Sequence, residues 1–255
     1  MRTLWLLLCL PHVALADPLL RTEGVATLAD GSVAYREVHW RANAEDGAER
    51  WVQYQCPDGT PFARKQMPAS TQVQARGYQL LDQRSGQAAS VQLAGGRVRV
   101  DWKEARDTAR RVQDVPLPDA AVIDAGFDAA VRQHWQALMH GDVVHLPFLV
   151  PGRQRFYPVK VVRRGEVRWQ GVAAESIEVG LDAWYGTMAP KLALVYADDD
   201  RRLLEFRGTS NLRDAGGRYP QVVVRFATAP TRPSQSEWRD AWTRPLVTAC
   251  PVTTR

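Results

Sequence analysis

The chain has little that could cross a membrane or handle a nucleotide. None of its 255 residues belong to an apolar run of the roughly 20 residues that a spanning helix needs. The longest such run, Leu4 to Ala16, has thirteen residues and contains Pro11 and His12. Only three cysteines are present, with no C-x-x-C pair, which excludes a dithiol redox motif. There is no P-loop, G-x-G-x-x-G turn, G-x-S-x-G elbow or H-E-x-x-H helix, so the signatures that cradle phosphates or present a nucleophile or zinc are missing. Internal repeats and low-complexity linkers are also absent. The formal charge is +5, but the basic residues are scattered. The doublets Arg110-Arg111, Arg163-Arg164 and Arg201-Arg202 read as solvated strand edges. A nucleic-acid partner would need a concentrated basic stripe.

What is present begins at the N-terminus. Met1-Arg2-Thr3 carries one positive charge, Leu4 to Leu10 is apolar, and Ala14-Leu15-Ala16 is a small-x-small site before Asp17. This is the layout of a cleaved signal peptide. Residues 1–16 are therefore expected to be a leader cut after Ala16, delivering 17–255 to the periplasm as a single domain. Cys9 is not expected to carry lipid, because Leu8 stands where a lipoprotein signal wants a small residue. Cleavage leaves Cys56 and Cys250, which an oxidising compartment would pair. Two free thiols are the alternative.

The composition, 45% hydrophobic and 24% charged, is that of a folded globular chain. Ser32 to Trp40 alternates, with Val33, Tyr35, Glu37 and His39 on one face and Ala34, Arg36, Val38 and Trp40 on the other. Further strands are expected at Trp51 to Gln55, Pro61 to Met67, Tyr78 to Asp82, Ala88 to Leu93 and Arg97 to Trp102. Pro57-Asp58-Gly59, Ser85-Gly86 and Gly95-Gly96 serve as turns. From Asp124 to His140 the period changes: Phe127, Val131, Trp135 and Leu138 form one helical stripe, with Asp124 as N-cap and Gly141 as terminator. Gly126 is expected to weaken the first turn. Strands resume at Val143 to Val150, with Pro147 marking an edge or bulge. They continue at Phe156 to Arg163, Val167 to Val172 after a Gly165-Glu166 turn, and Ser176 to Val179. Leu181 to Met188 reads as an irregular crossing. Leu192 to Tyr196 and Leu203 to Ser210 form a hairpin, Gln221 to Ala227 is the last strand, and Thr231 to Ser236 begins a tail returning to Cys250. Pro116 to Pro118 is the best internal boundary. The expected fold is mainly β: a strongly curved antiparallel sheet, an incomplete barrel, with one principal helix in its concave face.

No catalytic set stands out. His134 and His140 fall on different faces of the helix. A zinc site from His140, Asp142 and His145 is imaginable, but helix-end and strand histidines explain them without a metal. Asp198-Asp199-Asp200 lacks the spaced ligands of a calcium loop and reads as a hairpin turn. Glu37 and Asp101 could form an acid/base pair only if the fold joined them. Ser176 lacks the glycines of an elbow. The remaining signal is aromatic: Trp40, Trp51, Trp102, Trp135, Phe156, Tyr157, Trp169, Trp184, Tyr185 and Tyr196. These either pack a core or line an apolar cleft between sheet and helix. The expected ligand-lining set is Trp40, Trp102, Phe127, Val131, Trp135, Phe156, Trp169 and Tyr196. No metal or other cofactor is expected.

The strings Val33-Ala34-Tyr35-Arg36-Glu37-Val38-His39-Trp40 and Pro57-Asp58-Gly59-Thr60-Pro61-Phe62-Ala63-Arg64-Lys65, with Asp124-Ala125-Gly126-Phe127-Asp128, Trp135, Tyr157-Pro158-Val159 and the Tyr196 to Arg207 hairpin, resemble uncharacterised exported proteobacterial proteins. Their architecture is similar to the lipoprotein-carrier half-barrels of the LolA/LolB type. That resemblance implies a periplasmic, non-catalytic binding protein for a lipid, acyl chain or other apolar envelope ligand. Two alternatives stand beside it: an envelope interaction protein whose core is filled by side chains, and a hydrolase with a non-standard site. The partner is then an apolar small molecule or lipid, or an envelope protein.

Overall fold

The computed structural model describes residues 19–43, 45–182, 191–226 and 229–251. The leader, Trp184, Tyr185 and most of the Leu181 to Met188 crossing lie outside the described residues. Among the described residues, fifteen strands form one sheet. The first eight are β1 (Leu20–Thr27), β2 (Val33–Arg41), β3 (Arg50–Gln55), β4 (Pro61–Met67), β5 (Tyr78–Asp82), β6 (Ala88–Ala94), β7 (Arg97–Lys103) and β8 (Arg111–Pro116). The remainder are β9 (Val122–Ile123), β10 (Val144–Val150), β11 (Arg155–Trp169), β12 (Val172–Leu181), β13 (Leu192–Ala197), β14 (Leu203–Thr209) and β15 (Gln221–Arg225). Among the described residues three α-helices accompany them: α1 (Gly126–Gln133), α2 (Trp135–Met139) and α3 (Gln235–Thr243).

The sheet order descends from β8 to β1, continues to β15 and descends again to β9. Consecutive strands therefore pair as an antiparallel meander, and β1 joins β15 through Val25–Thr27 against Val223–Arg225. The two edges, β8 and β9, are consecutive in sequence yet unpaired. The sheet is an up-and-down barrel left open at one seam, between β8 and β9. β9 instead runs parallel to β10 through two residue pairs. The curvature brings the edges close: Gln154, in the turn between β10 and β11, donates its side-chain amide to the carbonyls of Val100 on β7 and Arg111 on β8.

Four sequence expectations are corrected. The helix from Asp124 to His140 is two helices, broken at His134 (φ −94°, ψ 14°), although Val131, Trp135 and Leu138 still share one apolar cluster with β10–β13. Asp124 is not the N-cap; Ala125 occupies that place without a side-chain cap, because the Asp124 carboxylate is engaged elsewhere. Gly165-Glu166 does not turn: β11 passes through it with a bulge, since its cross-strand partners on β12 continue to Val172, and the reversal comes at Gln170-Gly171. The expected C-terminal tail contains α3, whose start carries a capping box between Ser234 and Glu237.

α3 covers the convex face of β2 and β3. Trp238 meets Trp51, Trp242 meets Trp40, and Gln53 donates to the Ala241 carbonyl. The Cys56–Cys250 disulfide, with Cα atoms 5.5 Å apart, and the bond from Val247 N–H to the Pro61 carbonyl hold this strap at its far end. No helix among the described residues is long and apolar enough to cross a membrane.

Candidate functional site

Strand alternation places two different surfaces on β2, both covered. Val38 and Trp40 point outward beneath α3. Tyr35, Glu37, His39 and Arg41 point into the concave side. The register sets Glu37 opposite Tyr54, His39 opposite Val52, Arg41 opposite Arg50, and Val52 opposite Lys65. These pairs build a polar column on the inner face of β2–β4, inside an otherwise apolar core.

The middle of the column is a buried ion pair. Lys65 is 4% exposed and donates from Nζ to both Asp124 oxygens at 2.8 Å. Its ammonium lies 5.5 Å from the Tyr78 ring centre and 5.9 Å from that of Tyr54. Burial alone would raise the Asp124 carboxyl, but the Lys65 charge and hydrogen bonds override it and hold the group below its ordinary value of 3.8. Asp124 adopts a left-handed conformation (φ 49°), which Asp tolerates better than most residues. Burial pushes the Tyr54 and Tyr35 phenols up, and the negative charge of Glu37 adds to it. The Tyr35 hydroxyl is 3.1 Å from Ser210 Oγ.

Beside this pair, His39 Nε2 lies 3.3 Å from a Glu37 oxygen, and its ring meets Phe226 edge-on at 5.6 Å. Gly24 on β1 makes this possible, because a Cβ there would come within 2.7 Å of Phe226 and 3.0 Å of Glu37.

At the next row the column reaches its mouth. Arg41 and Arg50 face each other across β2 and β3, both partly exposed. Neither forms an ion pair within 4.0 Å among the described residues, and Arg50 Nε is buried without a hydrogen-bond partner. Burial lowers the Arg41 guanidinium below its ordinary value, and the charges of Arg50 and Arg132 lower it further. Arg132 on α1 is already held by Asp128 and Asp46 at 2.7 and 2.8 Å. Arg76 donates to the carbonyls of Asp46 and Ala48.

The eight expected lining residues are not brought together in one cleft. Phe127, Val131, Trp135 and Tyr196 share the cluster between α1, α2 and β10–β13, where Trp135 meets Tyr196 edge-on at 6.1 Å and Phe127 lies 6.3 Å from Phe206. Trp102 and Phe156 belong to the second inner cluster, built mainly on β2–β7. Trp40 and Trp169 lie elsewhere: Trp40 under α3, and Trp169 in a small separate cluster with its indole N–H donating to Glu205. Cys56 and Cys250 are joined. His145 pairs with Asp182 rather than with Asp142 or His140, Asp101 with Arg110 rather than with Glu37, and Asp200 with Arg202 in its turn. The residues that sequence reasoning missed are Arg41, Arg50, Tyr54, Lys65, Tyr78 and Asp124. The one available signal was Lys65, a charged residue on the same alternating face as Ala63 and Met67.

On the convex side, a groove of about 270 Å³ runs between Trp242 and the outer side chains of β4–β6, among them Arg64, Gln79 and Leu81. The Arg64 guanidinium stacks over Trp242 and donates to the Arg244 carbonyl.

No family model and no curated protein matches the sequence. Among solved structures, the chain is similar to the crystal structure of a beta-barrel-like protein of a domain of unknown function, DUF1849, from Brucella abortus. The two share 8% sequence identity over 85% of this chain and 98% of that one, with a TM-score of 0.48.

Proposed function

We propose that this chain is an exported, non-catalytic interaction protein of the cell envelope, working through its surface around a core filled by its own side chains. The observation that carries this reading lies between helix and sheet. Leu138, Ile177, Leu194 and Tyr196 have no solvent-accessible surface there. A ready-made ligand cavity would leave part of its lining accessible to a water-sized probe, because pockets for drug-sized ligands enclose roughly 300–1,000 Å³. The envelope location rests on the leader pattern of residues 1–16, and the Cys56–Cys250 bond supports an oxidising compartment.

A second reading has one observation in its favour. The seam between β8 and β9 is crossed by the Gln154 side chain and not by strand pairing. An acyl chain of the kind carried by LolA/LolB-type half-barrels could enter if that seam parted. Native mass spectrometry after delipidation and re-exposure to envelope lipids separates the two. The interaction reading expects the bare protein mass, with a protein partner recovered by crosslinking in the envelope. A stoichiometric lipid adduct overturns it in favour of the acyl-chain carrier.

A further inference from the structure

We propose that Arg41 and Arg50 form a binding site for a phosphate group at the mouth of the concave side. Two like charges directly opposite each other on neighbouring strands disfavour the fold. The pair stands against that cost without a carboxylate partner among the described residues. The local charge agrees. Arg41, Arg50, Arg76, Arg132 and Lys65 lie among Asp46, Asp128, Glu49 and Asp124, so five positive charges meet four negative ones. Arg132 is held by two carboxylates through Nη1 and Nη2, and Arg76 donates from Nη2 to two backbone carbonyls. Arg76 keeps one unpartnered Nε, whereas among the described residues no ion pair holds Arg41 or Arg50.

The chemistry of these donors selects the ligand. A guanidinium offers a rigid planar fork that matches two oxygens of a phosphate. Residues directly opposed on paired strands have Cβ atoms roughly 5 Å apart, close enough for both forks to reach one tetrahedral group. Both side chains are partly exposed, so a ligand can arrive from solvent. The phosphate can be free or the headgroup of an anionic lipid; the recognising chemistry is the same. This site stands outside the filled core, so it does not depend on the interaction reading.

The test compares the full chain with the Arg41→Gln/Arg50→Gln double variant by calorimetric titration with inorganic phosphate and by flotation with phosphatidylglycerol or phosphatidylcholine vesicles. The expected result is binding to phosphate, to phosphatidylglycerol vesicles or to both, weakened at least about tenfold in the variant. Phosphate binding identifies a free ligand, and vesicle binding alone identifies the headgroup. The variant should also melt no lower than wild type, since a repulsion has been removed. Equal binding by the two proteins, or no binding by either, overturns the proposal. If the variant does not fold, phenylglyoxal modification of the wild-type protein decides. Phosphate or phosphatidylglycerol vesicles should protect Arg41 and Arg50 relative to exposed Arg97, and modification at the same rate with and without both ligands overturns the site.

Discussion

The Asp124 carboxylate closes on the Lys65 ammonium from the residue pair just ahead of α1, joining the β9–α1 segment to the inner face of β4. The contact links parts of the chain separated by 59 positions. It explains why a residue placed to cap a helix does not cap it: a buried ammonium without a partner costs more than an uncapped helix end.

Removing one member of this pair should be strongly destabilising. Asp124→Asn keeps a residue that tolerates the left-handed conformation, so it isolates the loss of charge. We expect a loss of about 3–5 kcal/mol in urea unfolding. Adding Lys65→Met should recover much of that loss, because no unpaired charge then remains buried. Equal stability of Asp124→Asn and wild type would contradict a buried ion pair.

The same pair sets a pH dependence. The folded Asp124 carboxyl titrates below its ordinary value of 3.8. Its contribution is therefore complete above the unfolded value, near pH 4, and is lost as pH falls through the lower folded value. Unfolding free energy measured from pH 6 downward should fall more steeply below about pH 4 for wild type than for Asp124→Asn. Parallel curves would count against the assignment.

Gly126 is predicted to resist replacement. In an ordinary helix, Gly→Ala stabilises by about 0.4–1 kcal/mol. Here a Cβ would lie 1.9 Å from the Gln74 carbonyl oxygen, a backbone atom. Gly126→Ala should therefore destabilise by more than about 1 kcal/mol, in line with other overpacked sites. A gain in melting temperature would show that the 68–77 loop can move aside at little cost.

The Cys56–Cys250 bond spans 194 positions. The loop-entropy model assigns roughly 4–5 kcal/mol to loops of this size. Cys250→Ser, or reduction, should lower stability by up to that amount. Thiol labelling of denatured, unreduced protein should find neither cysteine free.

At the seam, Gln154→Ala would strip the donor that the Val100 and Arg111 carbonyls share. The cost should be about 1–3 kcal/mol, and it should be local. Hydrogen exchange is expected to quicken in β7 and β8 while β2–β4 keep their protection. Uniform acceleration across the sheet would instead mean that the seam opens only on global unfolding.

Much of the sheet was legible residue by residue. β4 and β5 begin and end where alternation and turn residues place them, and Gly141 ends α2 as expected, at φ 92°. β8 was missed because four of its six residues in a row are exposed, which leaves no alternation to read. α3 was missed although its signals are present: Ser234 and Glu237 at capping-box spacing, then Trp238, Ala241 and Trp242 on one stripe. Pro233 and the neighbouring serines give that segment the composition of a tail.

Period and turn chemistry act between near neighbours, so they carried the class of fold and the order of most strands, but β1, β8, β9 and α3 were not read from them. The sequence also supplied the two cysteines that pair. Which face of β2 looks inward depends on how the whole chain packs. Both faces are buried, one by the core and one by α3, so alternation could not choose between the Trp40 side and the Glu37–His39–Arg41 side. Nor could it bring Asp124 to Lys65 or set Arg41 against Arg50. Those relationships depend on strand register and on the curl of the whole sheet, which contacts between distant residues create.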